Sequence, residues 1–118
     1  MVAARPDLVV SISSNVSPEA REFDRRCTTI ANAYIQPLMA TYLASFADQF
    51  AAKGVTCPIL MMTAGGGMTT IQTAALFPIR LVDSGSAGGA ILAVRIAAES
   101  GLTKVLSFDM AAPPPSFA

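Results

Sequence analysis

The chain has 118 residues, 53% of them hydrophobic and 14% charged, against a usual charged share of about 25%. Eight basic and eight acidic residues cancel to a net charge of +0, which argues against an electrostatic nucleic-acid binder. Histidine is absent, so no Ser-His or Cys-His nucleophile system can be built from this chain, and the commonest zinc ligand is missing.

This length allows one domain with a modest core. A free-standing domain so small has a large surface and should be more polar than this. The composition therefore predicts a piece of a larger protein, with an apolar homo-oligomer as the alternative. Met1 to Ala4 carry neither the basic nor the apolar region of a secretory signal. Cys27 to Ala47 is uncharged, but Asn32, Gln36, Pro37 and its threonines make it too polar for a membrane span. The expected location is cytoplasmic, with no membrane partner. Cys27 and Cys57 lack metal-ligand spacing and are expected to be reduced and buried.

Leu8 to Ser13 is rich in β-type residues and predicts a strand over 8–13. Ser17, Pro18 and Glu19 then form a helix start, predicting a helix over 18–25. Acids are interleaved with its bases, which suits a solvated face better than an anion site at Arg25 and Arg26. Ile30, Tyr34, Leu38, Tyr42, Phe46 and Phe50 recur every four residues and predict a helix over 28–53, kinked or divided at Pro37 and closed by Gly54. A packed core face explains this stripe better than a ligand groove.

Pro58 to Met62 reads as a buried strand over 58–63, and 69–76 as a short helix. Between them, Gly65, Gly66 and Gly67 allow a ligand or a neighbouring segment to approach the backbone closely. A second apolar run predicts a strand over 79–83. Ser84 to Gly89, with Gly85, Gly88 and Gly89, opens a helix over 87–100 that Gly101 should cap. This small-residue loop fits an anion at a helix N-terminus, and fits tight helix–strand packing equally well. Val105 to Phe108 predicts a last strand over 104–109, with Asp109 at its carboxyl end. Strand, glycine loop, helix and strand together predict a βαβ crossover, with ligands beyond the strand ends.

As an ordered set, these segments resemble the hydantoinase A / oxoprolinase family, which includes related subunits of acetone and acetophenone carboxylases. The resemblance is carried by Val16-Ser17-Pro18, Arg21-Glu22-Phe23, Thr28-Thr29, Asn32-Ala33-Tyr34 and Pro37-Leu38. It continues through Met61 to Gly67, Phe77-Pro78-Ile79-Arg80, Ser84 to Gly89 and Ser107-Phe108-Asp109-Met110. It implies an α/β fold: a fragment of an actin-like ATPase (ribonuclease H-like) fold, with a partial, largely parallel sheet and flanking helices. It implies ATP and Mg²⁺ as cofactors of the intact parent, with Asp109 beside the metal and phosphates and the glycines at 65–67, 85, 88 and 89 near the nucleotide. It implies an ATP-dependent hydrolase opening cyclic amides, or a carboxylase-type subunit.

The chain departs from that pattern mildly at Ala64 and Ser86, and severely after Met110. Ala111-Ala112 stand where the family has two phosphate-loop glycines, and Pro113 to Pro115 follow. Methyl groups obstruct close approach, and proline has no N–H to offer. The expectation is thus a partial domain over 1–110, with residues 111–118 an irregular Pro-rich tail of frameshift origin. Removing one G from ATG GGC GGC ACC ACC GCC AAG T turns Met-Gly-Gly-Thr-Thr-Ala-Lys into Met-Ala-Ala-Pro-Pro-Pro-Ser. The isolated chain is expected to bind no cofactor and to be inactive. Its expected partners are the remainder of the parent enzyme or a companion subunit, and self-association through apolar faces is also expected. A small structural or interaction protein, oligomerising through the same faces, is the competing reading.

Overall fold

A computed structural model describes residues 8–110; the Pro-rich tail at 111–118 lies outside them. The elements run α1 (Ser13–Val16), α2 (Glu22–Ala52), β1 (Leu60–Met62), β2 (Met68–Thr70), α3 (Ile71–Leu76), a 3₁₀ turn (Pro78–Leu81) and α4 (Ser84–Glu99). The chain is mixed α and β, and helix dominates. α2 is the spine: α1, α3 and the 3₁₀ turn all pack on it, while α4 packs on β1.

α2 begins at Glu22, so the helix start expected at Ser17 and Pro18 is not there, and the rest of the helix expected over 18–25 runs unbroken into the one expected over 28–53. Glu22 and Asp24 in its first turn suit the positive end of the helix dipole. Pro37 lies inside the helix without dividing it. The hydrogen bond lost at a proline is local, and the turns on either side keep their own. At the carboxyl end Gly54 takes φ +81°, its N–H reaches the Ala51 carbonyl, and the Val55 N–H reaches Phe50. The same closure recurs after α4, where Gly101 has φ +68° and the Leu102 N–H reaches Ala97. Both are left-handed glycine caps of the Schellman kind.

The sheet corrects the expectation of parallel strands. β1 and β2 form a two-stranded antiparallel hairpin, with Leu60 opposite Thr70 and Met62 opposite Met68. The run 79–83 is a 3₁₀ turn, because Pro78 opens it at φ near the helical value and the Arg80 N–H closes on the Phe77 carbonyl. Residues 8–12 and 104–109 carry strand-type sequences but form no strand. A strand exists only through a neighbour, and the described residues offer these two runs none. With both flanking strands gone, the βαβ crossover is absent from the described residues. Thr69 and Thr70 belong to β2, and the helix predicted from 69 starts at Ile71, capped by the Thr70 side chain. Cys27 and Cys57 are exposed, not buried.

The buried interior is thin: Val16, Leu43, Ala74, Ala97 and Pro78 around one polar residue, Asn32. The Asn32 side chain is fully buried and fully bonded. Its Nδ2 donates to Ser11 Oγ at 3.1 Å and to the Leu76 carbonyl at 3.1 Å, and its Oδ1 accepts the Ile79 N–H at 3.3 Å. One amide thereby joins the N-terminal segment, the end of α3 and the 3₁₀ turn to the spine.

Candidate functional site

The hairpin turn at Thr63–Gly67 and the start of α4 meet in space. The Thr63 N–H and hydroxyl both donate to the Gly67 carbonyl, at 2.8 and 3.1 Å. Gly66, with φ +79°, lets the chain reverse between them. The Ala64 N–H donates to the Arg80 carbonyl at 2.8 Å, which ties the hairpin turn to the 3₁₀ turn. A Cβ on Gly66 would lie 3.1 Å from Ile91 Cδ1, and one on Gly88 would lie 3.8 Å from Met62 Cγ. The turn therefore rests directly on α4.

The two readings of the glycines separate by residue. Gly66 is tightly packed, while a Cβ on Gly88 or Gly67 would make ordinary van der Waals contact with Met62 or Thr63. Gly65, Gly85 and Gly89 face open space, with nothing within 4 Å of a built Cβ. These three are free to approach something outside the described residues. Asp83 precedes α4 in the left-handed region at φ 61°, and its side chain does not cap the helix. Asp109 stands apart: it is exposed in a stretch without helix or strand. Among the described residues, no backbone hydrogen bond joins it to either glycine segment.

Beside the turn lies an open groove of roughly 370 Å³ lined by Thr63, Ala64, Gly65, Met68, Thr69 and Arg80. Arg80 Nη2 donates to the Asn15 and Val16 carbonyls at 2.7 and 3.1 Å, and its guanidinium stacks 4.7 Å from the Phe77 ring. This groove offers one cation, two hydroxyls and small backbone. Among the described residues, its lining holds no carboxylate. No three or more His, Cys, Asp or Glu side chains cluster as metal ligands among the described residues.

In sequence, Ala111, Ala112 and Pro113 follow Asp109 and Met110, two methyl-bearing residues and a proline without an N–H. Asn32 and Arg80 are positioning residues that sequence reasoning does not single out as such. The signal for Asn32 is an amide within an apolar helical run, where asparagine is unfavourable unless it is bonded.

A family model described as Hydantoinase/oxoprolinase matches residues 25–112. An uncharacterised protein of Methanocaldococcus jannaschii is 36% identical over 101 residues, covering 86% of this chain and 15% of that protein. The caprolactamase subunit alpha of Pseudomonas jessenii is 29% identical over 108 residues, covering 92% of this chain and 16% of that subunit. The chain thus spans about a sixth of the length of these curated relatives. No solved structure matches. Among the described residues, no helix is long and apolar enough to cross a membrane.

Proposed function

The chain belongs to the hydantoinase/oxoprolinase family, and on that premise we propose that it is a stretch of an ATP-dependent hydrolase that opens cyclic amides, inactive by itself. The observation that carries the reading is the family match over residues 25–112. The likeness to a caprolactamase subunit supports the same substrate class, because caprolactam, hydantoin and oxoproline are all cyclic amides. That relative is named as a subunit, which supports a companion chain as partner. The stretch supplies scaffold: α2 as spine, Asn32 as the tie, and a glycine turn whose open positions face the rest of the enzyme. ATP and Mg²⁺ belong to the intact parent, where Asp109 would stand near the metal.

The test is turnover. Purified chain with Mg-ATP and hydantoin, oxoproline or caprolactam should release neither phosphate nor ring-opened product. Magnesium-dependent ATP hydrolysis that Asp109→Asn abolishes would overturn the proposed inactivity. In an intact parent, the same substitution should lower ATP turnover by about a hundredfold or more, the order lost when a charge-stabilising catalytic group is removed.

A further inference from the structure

α2 is apolar on opposite sides. Its inner side buries Asn32 and Leu43 against α1, α3 and the 3₁₀ turn. Its outer side carries Phe23, Cys27, Ile30, Tyr34, Leu38 and Tyr42, all exposed; Tyr34 is 86% and Leu38 75% accessible. No charge falls on either side from Cys27 to Ala47, a run that spans about 31 Å of helix. A solvent-facing helix side normally carries charge, and a helix apolar all round is normally covered all round.

We propose that this outer side is a self-docking surface, on which two copies of the chain pair antiparallel with α2 against α2. The charge pattern selects a second copy in that orientation. Arg26 and Asp48 bracket the uncharged run, and both are exposed. They are about six helical turns apart and lie on one flank. With Tyr34 of each copy opposite Leu38 of the other, Ile30 faces Tyr42. Each Arg26 then comes within about 3 Å, measured along the axis, of the level of Asp48 on the other copy. Two-fold symmetry makes that pair twice, and the antiparallel arrangement also opposes the helix dipoles. A parallel pairing would instead leave Arg26 level with Arg26 and Asp48 level with Asp48, on opposite flanks of the interface, and would pair neither with an opposite charge. The rest of a longer polypeptide is the other candidate occupant, and it predicts no symmetric dimer of this chain.

Sedimentation equilibrium on the 118-residue chain should show a dimer. Leu38→Glu should weaken dimerisation by about tenfold or more, with helical circular dichroism retained. Cysteine cross-linking tests the register even where that variant fails to fold. In the antiparallel register Cys27 lies level with Ser45 of the other copy, so Ser45→Cys with Cys57→Ser should give a covalent dimer under oxidised glutathione. Cys57→Ser alone should not, because the two Cys27 thiols then sit about 27 Å apart along the helices. A monomer at all concentrations overturns the proposal. So does association that Leu38→Glu leaves unchanged. A covalent dimer that Cys57→Ser alone forms as fast as the double variant overturns it too.

Discussion

Asn32 shows how much one amide can carry. Its hydrogen bonds to Ser11, Leu76 and Ile79, with a longer one to Gln36, replace water that the buried site excludes. Asn32→Ala removes all of them and leaves the Leu76 carbonyl and the Ile79 N–H without their partner. The expected loss is roughly 2–4 kcal/mol, read from the urea midpoint. Asn32→Asp should keep the bond from the Ile79 N–H and lose the one to the Leu76 carbonyl, because a carboxylate cannot donate. The glycines allow a sharper comparison. Gly66→Ala meets both Ile91 at 3.1 Å and an unfavourable φ of +79°, so it should cost about 1 kcal/mol or more. Gly85→Ala sits in a helix with open space around it and should be neutral or stabilising by up to about 1 kcal/mol. If Gly85→Ala also impairs nucleotide or substrate binding in an intact family enzyme, close ligand approach is its role; unchanged binding would leave it as a plain helical position.

At the scale of elements, the long helices and the strand at Leu60–Met62 are legible in the sequence, while the strands expected over 8–13, 79–83 and 104–109 are not there. The four-residue recurrence from Ile30 to Phe50 and the glycines at 54 and 101 are local signals, and they mark the body of α2 and the carboxyl ends of α2 and α4, but not where the two helices start. Leu8 to Ser13 and Lys104 to Asp109 have strand composition, but pairing is a long-range property that composition does not contain. Pro78 was the overlooked local signal at 79–83, since it starts a tight turn more readily than a strand. The glycine segments were recognisable as close-approach sites, yet which glycine packs and which lies open depended on Ile91 and Met62 across the turn. Pro37 offers a test at this scale. It lies exposed inside a continuous helix, so Pro37→Ala restores one backbone hydrogen bond and removes the ring clash. The substitution should raise helical circular dichroism and increase stability by about 1–3 kcal/mol. Lower helicity would mean that the proline sets a bend which the packing of α3 requires.

The whole molecule is spread out for its mass. Its accessible surface is 9285 Å², where a compact monomer of this mass would expose about 6,100 Å². Its radius of gyration is 17.7 Å, against about 13 Å for a compact chain of similar length. Ile91, Leu92, Val94 and Ile96 on α4, and Leu106, Phe108 and Met110 after it, are exposed as well. So little burial cannot offset the ordering entropy of a hundred residues with a normal margin. Calorimetry on the chain in dilute solution should therefore show a broad transition, with an enthalpy well below the roughly 70 kcal/mol usual for a hundred ordered residues. A sharp, concentration-independent transition of full enthalpy would show that the chain is self-sufficient.

The Asn32 tie also imposes a schedule on synthesis. Its acceptor and donor partners, the Leu76 carbonyl and the Ile79 N–H, are made 44 and 47 residues later. At about 5–20 residues per second, the Asn32 amide waits roughly 2–9 seconds for them. Through that interval α2 can already be wound, because its own hydrogen bonds are local, while the side meant for the interior stays open. A nascent chain is then a long helix with two unclaimed faces, tethered to a ribosome whose neighbours on the same message carry the same helix. The polar tie that finally seals one face is thus also the step that decides how long the growing chain remains open to wrong company.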